Sequence, residues 1–225
     1  MKISISDREF QCKIPMTDKS NDVLKAFGLT QNRIKTFIYG CEFEINSGEI
    51  CCISGASGSG KSLLLQDILR NINEKSPTDT IAVNSVLLTT CKSCVDCLDN
   101  DEGFLGCLRD LSGAGLTDVF TILNAPFYLS TGQQYRYKLA KAISDKTKKY
   151  IFADNFCDNL DRVTAAVISS NLRKIATKTG KVFFVASSHD DFFSELLPEL
   201  FILKHLAGDT EIIYKNKKTE VYVKG

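Results

Sequence analysis

The sequence predicts an α/β fold with a mainly parallel sheet, and three observations carry that expectation. From Tyr150 onward, strand-like and helix-like stretches alternate: YIFAD, RVTAAVISSNLRKIATK, KVFFVASS. Strands separated by helical stretches need crossover connections, which make sheet neighbours parallel. Further back, the apolar strand EICCIS runs straight into the glycine-rich GASGSGKS, Gly55 to Ser62. The amphipathic stretch KSLLLQDILRNI follows, with Leu63, Leu64, Ile68 and Ile72 expected on its apolar side.

The remaining elements follow in order. Residues 1–15 alternate polar and apolar and predict an edge hairpin. NDVLKAFGL, Asn21 to Leu29, has helical spacing, with Asn21 or Ser20 as cap and Gly28 as stop. IKTFIYGCEFEI predicts a strand, and Asn46-Ser47-Gly48 a turn. TIAVNSVLLTT predicts another strand, and GFLGCLRDLSGAG a helix in the less regular stretch from Cys91 to Gly115. QYRYKLAKAISDK is a strongly amphipathic helix. A short helix near DFFSELL and strands LFILKHL and TEIIYKN close the pattern.

The bulk properties narrow the class. A chain of 225 residues suits one well-packed domain, read here as 1–225. The net charge of +1 gives no global argument for nucleic acid or an anionic membrane. No apolar run approaches the roughly 20 residues that span a bilayer, and MKISISDREF has no signal-peptide apolar core. A cytoplasmic location is the expectation. Nine cysteines in a reducing compartment then read mostly as small buried apolar residues or free thiols.

GASGSGKS matches G-x-x-x-x-G-K-[ST] in full, in the strand–loop–helix context that the motif requires. Gly55, Gly58 and Gly60 let the backbone curl so that its N–H groups face a phosphate. Ala56, Ser57, Ser59 and Leu63 complete the nucleotide-binding run. The helix beginning near Lys61 adds its dipole. Lys61 supplies positive charge to the terminal phosphates, and Ser62 a hydroxyl to Mg²⁺. This loop alone points to a purine nucleoside triphosphate.

LSTGQQYRYKLAKAI, from Leu129, resembles the L-S-G-G-Q signature of ATP-binding-cassette (ABC) ATPases, with Thr131 in place of the first glycine. The series GASGSGKS, LSTGQ, YIFAD, DNLD, VASSHDD follows the motif order of that superfamily. The resemblance implies an ABC-type nucleotide-binding domain of the P-loop NTPase fold. An antiparallel N-terminal β part (1–50) and a small helical signature lobe (about 91–145) would flank its parallel core. It implies that Ser130, Thr131, Gly132 and Gln133 cap the γ-phosphate of ATP bound to a partner copy, in a head-to-tail homodimer. Ser130 or Thr131 also reads as an ordinary helix N-cap. VLKAFGL, INSGEICCISGASGSGKS, LSGAGLTDVF and FCDNLDRVTAAVISSNLRK further resemble small soluble prokaryotic cassette ATPases, some of them fused to a GNAT-type acetyltransferase. That likeness runs from about Val23 to Leu206 and makes a separate acetyltransferase one implied partner.

The same resemblance assigns further roles. Asp154 ends an apolar strand where the Mg²⁺-associated aspartate of the superfamily sits, and one carboxylate with the Ser62 hydroxyl suits that hard cation. His189 matches the switch histidine, and Asp161 in DNLD the D-loop aspartate that reaches across the dimer. Asp158 reads as an N-cap or turn residue, and His205 as structural. The chain departs from the superfamily at three places. Asn155 stands where a glutamate normally polarises the attacking water. An amide can orient water but cannot take its proton, and losing a general base costs about 10²–10⁴ in rate. Three readings stay open: slow turnover, compensation by another group, or a substituted site that traps ATP. No glutamine lies between Gln66 and Gln133, and Thr89 and Thr90 occupy the expected Q-loop place, with Thr90 a candidate Mg²⁺ ligand. No spacing selects the adenine-stacking residue among Phe10, Phe37 and Tyr39.

Cys91, Cys94 and Cys97 form C-x₂-C-x₂-C, with Cys107 further on. The spacing fits no standard zinc pattern and lacks a nearby histidine, so buried or free thiols are favoured over a metal site. Four functions remain: a soluble ATPase acting as an ATP-gated clamp on a protein or nucleic-acid partner, the ATPase subunit of a membrane transporter, a chromosome-clamp head, and a non-hydrolysing ATP sensor or scaffold. The interval from Lys61 to Leu129 is short and lacks heptads, which ranks the chromosome-clamp head lower.

Overall fold

The computed structural model describes residues 1–10, 15–29, 37–158, 160–206, 210–215 and 220–222. It contains β1 (Lys2–Phe10), α1 (Asp18–Ala26), β2 (Phe37–Glu44), β3 (Ile50–Ser54), α2 (Lys61–Lys75) and β4 (Thr80–Ala82). Then come α3 (Gly103–Gly113), α4 (Val119–Leu123), α5 (Thr131–Ser144), β5 (Tyr150–Ala153), α6 (Arg162–Thr179) and β6 (Val182–Ser187). The chain closes with α7 (Phe193–Leu196), β7 (Leu200–Lys204), β8 (Thr210–Tyr214) and β9 (Glu220–Tyr222). Among the described residues, seven strands form one sheet in the order β4-β5-β6-β3-β7-β8-β9. From β4 to β7 the neighbours are parallel, while β8 and β9 add antiparallel. This is an α/β P-loop fold with an antiparallel β part, β1–β2, at its N-terminal side.

The alternation of strand side chains sorts the core into two layers. Ile50 and Cys52 of β3, Ile151 and Ala153 of β5, and Phe183 and Val185 of β6 face the layer built with α3, α5 and α6. Cys51 and Ile53, Tyr150 and Phe152, and Phe184 and Ala186 face the layer built with α2 and the β1–β2 sheet. Phe152 and Phe184 stack there with ring centroids 4.7 Å apart. All five residues of β3 are buried or half-buried, which is why its sequence reads as a continuous apolar run.

Several expectations change. Of the expected hairpin over 1–15, Lys2–Phe10 is a single strand, β1, which pairs with β2 from Lys2 opposite Glu44 to Phe10 opposite Phe37, while 11–14 lie outside the described residues. Helix α1 starts earlier than expected, capped by Thr17, not Ser20 or Asn21. Thr17 and Ser20 make a reciprocal capping box in which Thr17 N–H donates to Ser20 Oγ at 2.8 Å. On α2 the core face is Leu64, Leu65, Ile68 and Ile72, while Leu63 is only partly buried. TIAVNSVLLTT is strand only through Ala82; a 3₁₀ turn over Val83–Ser85 then redirects the chain onto the helical lobe. There Phe127 N–H donates to Thr89 O at 3.2 Å and Cys94 N–H to Asn124 O at 2.9 Å.

Candidate functional site

The loop Gly55–Ser62 leaves the C-terminal end of β3, the middle strand of the larger sheet, and opens directly into α2. Two of its glycines are required by geometry. A Cβ on Gly55 would lie 2.2 Å from the Lys204 carbonyl oxygen, so the loop rests against the end of β7 only because that position has no side chain. Gly60 takes φ 92° as the N-cap of α2, and no side chain caps that helix. The first N–H groups of α2 therefore remain available to an anion.

Lys61 is only 8% exposed, and its Nζ turns onto its own loop, donating to Gly55 O at 2.8 Å and Ala56 O at 3.0 Å. Burial lowers its pKa, and Asp158 and Asp154 oppose that shift. Ser62 Oγ donates to Asp154 Oδ1 at 3.0 Å, and the same oxygen accepts from Asn155 N–H at 3.0 Å. A hydroxyl and a carboxylate are thus paired one helical residue beyond Lys61. That oxygen-only donor set suits Mg²⁺ completed by substrate phosphates and water. Among the described residues, no group of three or more His, Cys, Asp or Glu converges elsewhere on a possible metal position.

Thr90, the candidate Mg²⁺ ligand, lies beyond the strand expected to carry it. Its strand ends at Ala82, its side chain is exposed, and its hydroxyl lies 3.5 Å from Cys91 Sγ on the lobe. Asn155 follows Asp154 with an exposed side chain and φ 53°. Cys157, at φ 61°, repeats that left-handed conformation two residues on. Phe156 N–H donates to Ala186 O at 2.8 Å, which ties the turn to β6. Ser187 Oγ, at the end of β6, donates to Asp158 Oδ1 at 2.5 Å, and His189 N–H donates back to Ser187 Oγ at 3.1 Å. The His189 side chain is exposed. Of its two sequence readings Asp158 takes the turn, with its carboxylate bound to the β6 end. Asp161 caps α6, accepting from Thr164 N–H at 2.9 Å.

The signature stretch begins α5. Ser130, not Thr131, is the N-cap, in a capping box with Gln133. Gln133 also donates to Thr121 Oγ1 at 3.2 Å, and Arg136 to Gly115 O at 2.9 Å, fastening the helix start to the lobe. Ser130 and Thr131 remain exposed.

Ser59 was placed in the nucleotide-binding run from sequence, whereas Lys204 and Tyr135, also near the site, were not singled out. Ser59 is fully buried and its hydroxyl has no partner. Lys204 is buried at the end of β7 beside the loop, with its Cε 3.8 Å from a Cβ placed on Gly60. The Tyr135 hydroxyl on α5 is buried without a partner; burial pushes its pKa up, and Cys157, Asp154 and Asp158 add to the shift. His205 is half-exposed, 3.8 Å from Glu211. The side chains of the adenine candidates Phe10, Phe37 and Tyr39 lie outside the described ones. In the cysteine run, Cys91 is exposed, Cys97 half-buried and Cys94 buried, and burial pushes the Cys94 thiol up to about 12.

A phosphate loop at the end of a central parallel strand, an aspartate ending a strand of the same sheet, and a capped signature helix on a lobe define an ABC-type ATPase cassette. No family model matches the chain. Its relatives include the lipoprotein-releasing system ATP-binding protein LolD of Rickettsia prowazekii, 26% identical over 204 residues, covering 77% of this chain and 89% of that protein. The phosphonates import ATP-binding protein PhnC 1 of Trichodesmium erythraeum is 27% identical over 189 residues, covering 68% and 74%. Among solved structures, the dimeric MJ0796, a bacterial ABC transporter cassette, has the same fold, with TM-score 0.63, 21% identity, and 92% and 95% of the two chains covered. Its post-hydrolysis form with ADP and Pi gives TM-score 0.62 at 19% identity over the same shares. The chain belongs to the ABC ATPase superfamily. These relatives are transport ATP-binding proteins by name and lend the acetyltransferase partner no support.

Proposed function

We propose that the chain binds Mg-ATP on the Gly55–Leu63 loop and works as an ATP-gated clamp, two copies closing head to tail and reopening after slow hydrolysis. The observation that carries this reading is the Ser62–Asp154 hydrogen bond beside the uncapped start of α2. The loop N–H groups receive the phosphates, and Lys61 exchanges its loop carbonyls for phosphate oxygens. Ser62 and Asp154 hold Mg²⁺, which would neutralise charge developing on the phosphates. Ser130, Thr131, Gly132 and Gln133 face the partner's nucleotide, as does Asp161 at the start of α6. Asn155 orients the attacking water without accepting its proton, which makes turnover slow. The exposed His189 imidazole, which follows the end of β6, is a group able to take that proton. The dimeric and ADP-Pi forms of the MJ0796 cassette support the clamp.

Phosphate release and particle size, measured with Mg-ATP for the chain, Lys61→Ala and Asn155→Glu, test this. The clamp requires an ATP-dependent dimer, turnover lost in Lys61→Ala, and faster turnover in Asn155→Glu. A stable ATP dimer with no turnover in any of them makes the protein a sensor or scaffold, and a monomer throughout defeats the clamp.

One observation favours a second reading, the ATPase subunit of a membrane transporter at the cytoplasmic face. Phe120, Leu123, Phe127, Tyr128 and Leu87 are exposed on the lobe around the Phe127–Thr89 backbone bond. An apolar patch of this kind marks a protein–protein surface. Among the described residues no helix is long and apolar enough to cross a membrane, so this reading needs a separate spanning partner. Co-purification with an integral membrane protein, lost in Phe120→Ser, would favour it over the clamp.

A further inference from the structure

The far end of the sheet holds a cavity of about 870 Å³, formed where α3, α5 and α6 end and where β5 and β6 begin. Its charge is lopsided. Seven of its lining residues are Lys or Arg and two are Glu or Asp, in a chain whose net charge is +1. Both acids are engaged: Glu102 pairs with Arg109, and Asp110 accepts from Asn100 at 2.7 Å. Lys146 pairs with Asp101.

Of the other lysines, Lys148 Nζ donates to Thr78 O at 2.6 Å, Lys149 Nζ lies over the Tyr150 ring, and Asp145 acts on Lys148 and Lys181 at longer range. Lys148, Lys149, Lys174, Lys178 and Lys181 form no direct ion pair among the described residues. Lys174 and Lys178 project from α6 one turn apart, an i,i+4 repetition of like charge that destabilises a helix by itself. Helix C-termini carry partial negative charge that lysines commonly offset, and Lys178 lies in the last turn of α6, but two of that helix's final carbonyls already have donors, Ile175 O from Thr179 Oγ1 at 2.7 Å and Ala176 O from Gly180 N–H at 2.9 Å. Lys181 Nζ donates to Asp145 O at 2.6 Å and Lys148 O at 2.9 Å, and Asn171 Nδ2 to Gly113 O at 3.3 Å. Lys181 is also only 7% exposed, and burial lowers its pKa against the pull of Asp145 and Asp110. A buried ammonium with no carboxylate in contact is costly unless an anion completes its surroundings.

We propose that this cavity is a second anion site, apart from the phosphate loop, that takes a compact, multiply phosphorylated small molecule. The volume lies within the roughly 300–1,000 Å³ of small-ligand pockets. The cations gather around one cavity instead of tracking along a face, as a nucleic-acid strand requires. They stand on two walls, Lys174 and Lys178 on α6 and Lys148 and Lys149 ahead of β5, an arrangement that suits a ligand with more than one phosphate.

The test titrates inorganic tripolyphosphate calorimetrically, without Mg²⁺, into Lys61→Ala protein, whose phosphate loop is disabled. The expected result is binding that weakens at least about tenfold, the loss of ~1.4 kcal/mol, when Lys174→Ala and Lys178→Ala are added. Both added positions are exposed, and circular dichroism checks that the fold is kept. In the unmodified chain the same titration is expected to read two sites per chain, falling to one in the lysine-pair variant, which covers the case that Lys61→Ala fails to fold. No binding to folded Lys61→Ala, binding indifferent to the lysine pair, or tighter binding of a single-stranded oligonucleotide at this site each overturns the proposal. A phosphate loop that does not bind would lower the counts in the unmodified chain and its lysine-pair variant from two and one to one and none, and would leave the Lys61→Ala outcomes unchanged.

Discussion

Ser62 and Asp154 meet through a hydrogen bond of 3.0 Å from Oγ to Oδ1, although 92 positions of sequence separate them. One sits at the start of α2 and the other at the end of β5, so sheet and helix must both be in place for the pair to exist. Ser62→Ala is expected to weaken Mg²⁺-dependent ATP binding by at least the roughly 10–100-fold that loss of an outer-shell partner costs. Binding in the presence of a chelator should change little. A nucleotide titration with and without Mg²⁺ measures both, and equal losses in the two conditions would remove Ser62 from the metal site.

Asn155 fits its backbone as well as its chemistry. Its φ of 53° is a conformation that asparagine tolerates and glutamate resists. Asn155→Glu should therefore speed turnover while lowering thermal stability, by roughly 1 kcal/mol, and Asn155→Gly should not lower it. Melting curves of the two variants check this; a Glu variant as stable as the parent would mean that the turn relaxes.

The unpartnered Tyr135 hydroxyl predicts an unusual sign. Burying a hydroxyl without a partner costs about 1–3 kcal/mol, so Tyr135→Phe should leave the nucleotide-free protein equally or more stable in urea unfolding. A loss above about 1 kcal/mol would show that the hydroxyl has a partner.

The helix caps give a pH dependence. Hydrogen bonds from Thr164 hold Asp161 below its ordinary value of 3.8, and those from Thr121 do the same for Asp118. The unfolded chain then binds protons more readily than the folded one. The stabilisation is complete above the ordinary aspartate range and is lost as pH falls through the lower native values. Asp161→Asn, which can still cap, should show a shallower fall in melting temperature on acidification. An identical acid profile would remove Asp161 as a contributor.

Thiol accessibility separates the cysteine run. Cys91 is exposed, whereas burial pushes the Cys94 and Cys157 thiols up to about 12. Maleimide labelling read by peptide mass spectrometry should modify Cys91 first among the described cysteines and Cys94 only on unfolding. Native labelling of Cys94 at the Cys91 rate would contradict its packing.

What could be read from the sequence was whatever is local or periodic. ICCIS sorted its side chains onto two faces by simple alternation, and the Gly55–Ser62 loop needed only its neighbours in sequence. What depends on distant chain was misread or unseen. The β1 strand looked like half of a hairpin because its partner, β2, begins only at Phe37. SVLLTT is apolar enough for a strand, but its Thr89 carbonyl accepts from Phe127 N–H on the lobe instead of from a neighbouring strand. Lys204 carried a signal that alternation could have revealed, since Leu200, Ile202 and Lys204 fall on the same buried face of β7. Ser59 was legible as part of the loop motif, but that its hydroxyl and that of Tyr135 lie buried without a partner among the described residues was not, because that is a property of the packed state.

The place of β3 also bears on how the protein is made. Its partners on either side are β6, from Val182, and β7, ending at Lys204, while β3 itself ends at Ser54. Such long-range pairing is slow to form, and on a ribosome it must wait until nearly all of the described chain has emerged. The glycine loop is synthesised early but has no floor until Lys204 arrives. Nucleotide would then bind only chains made past Lys204 and stabilise them against unfolding by mass action, making ATP occupancy a mark of an assembled sheet.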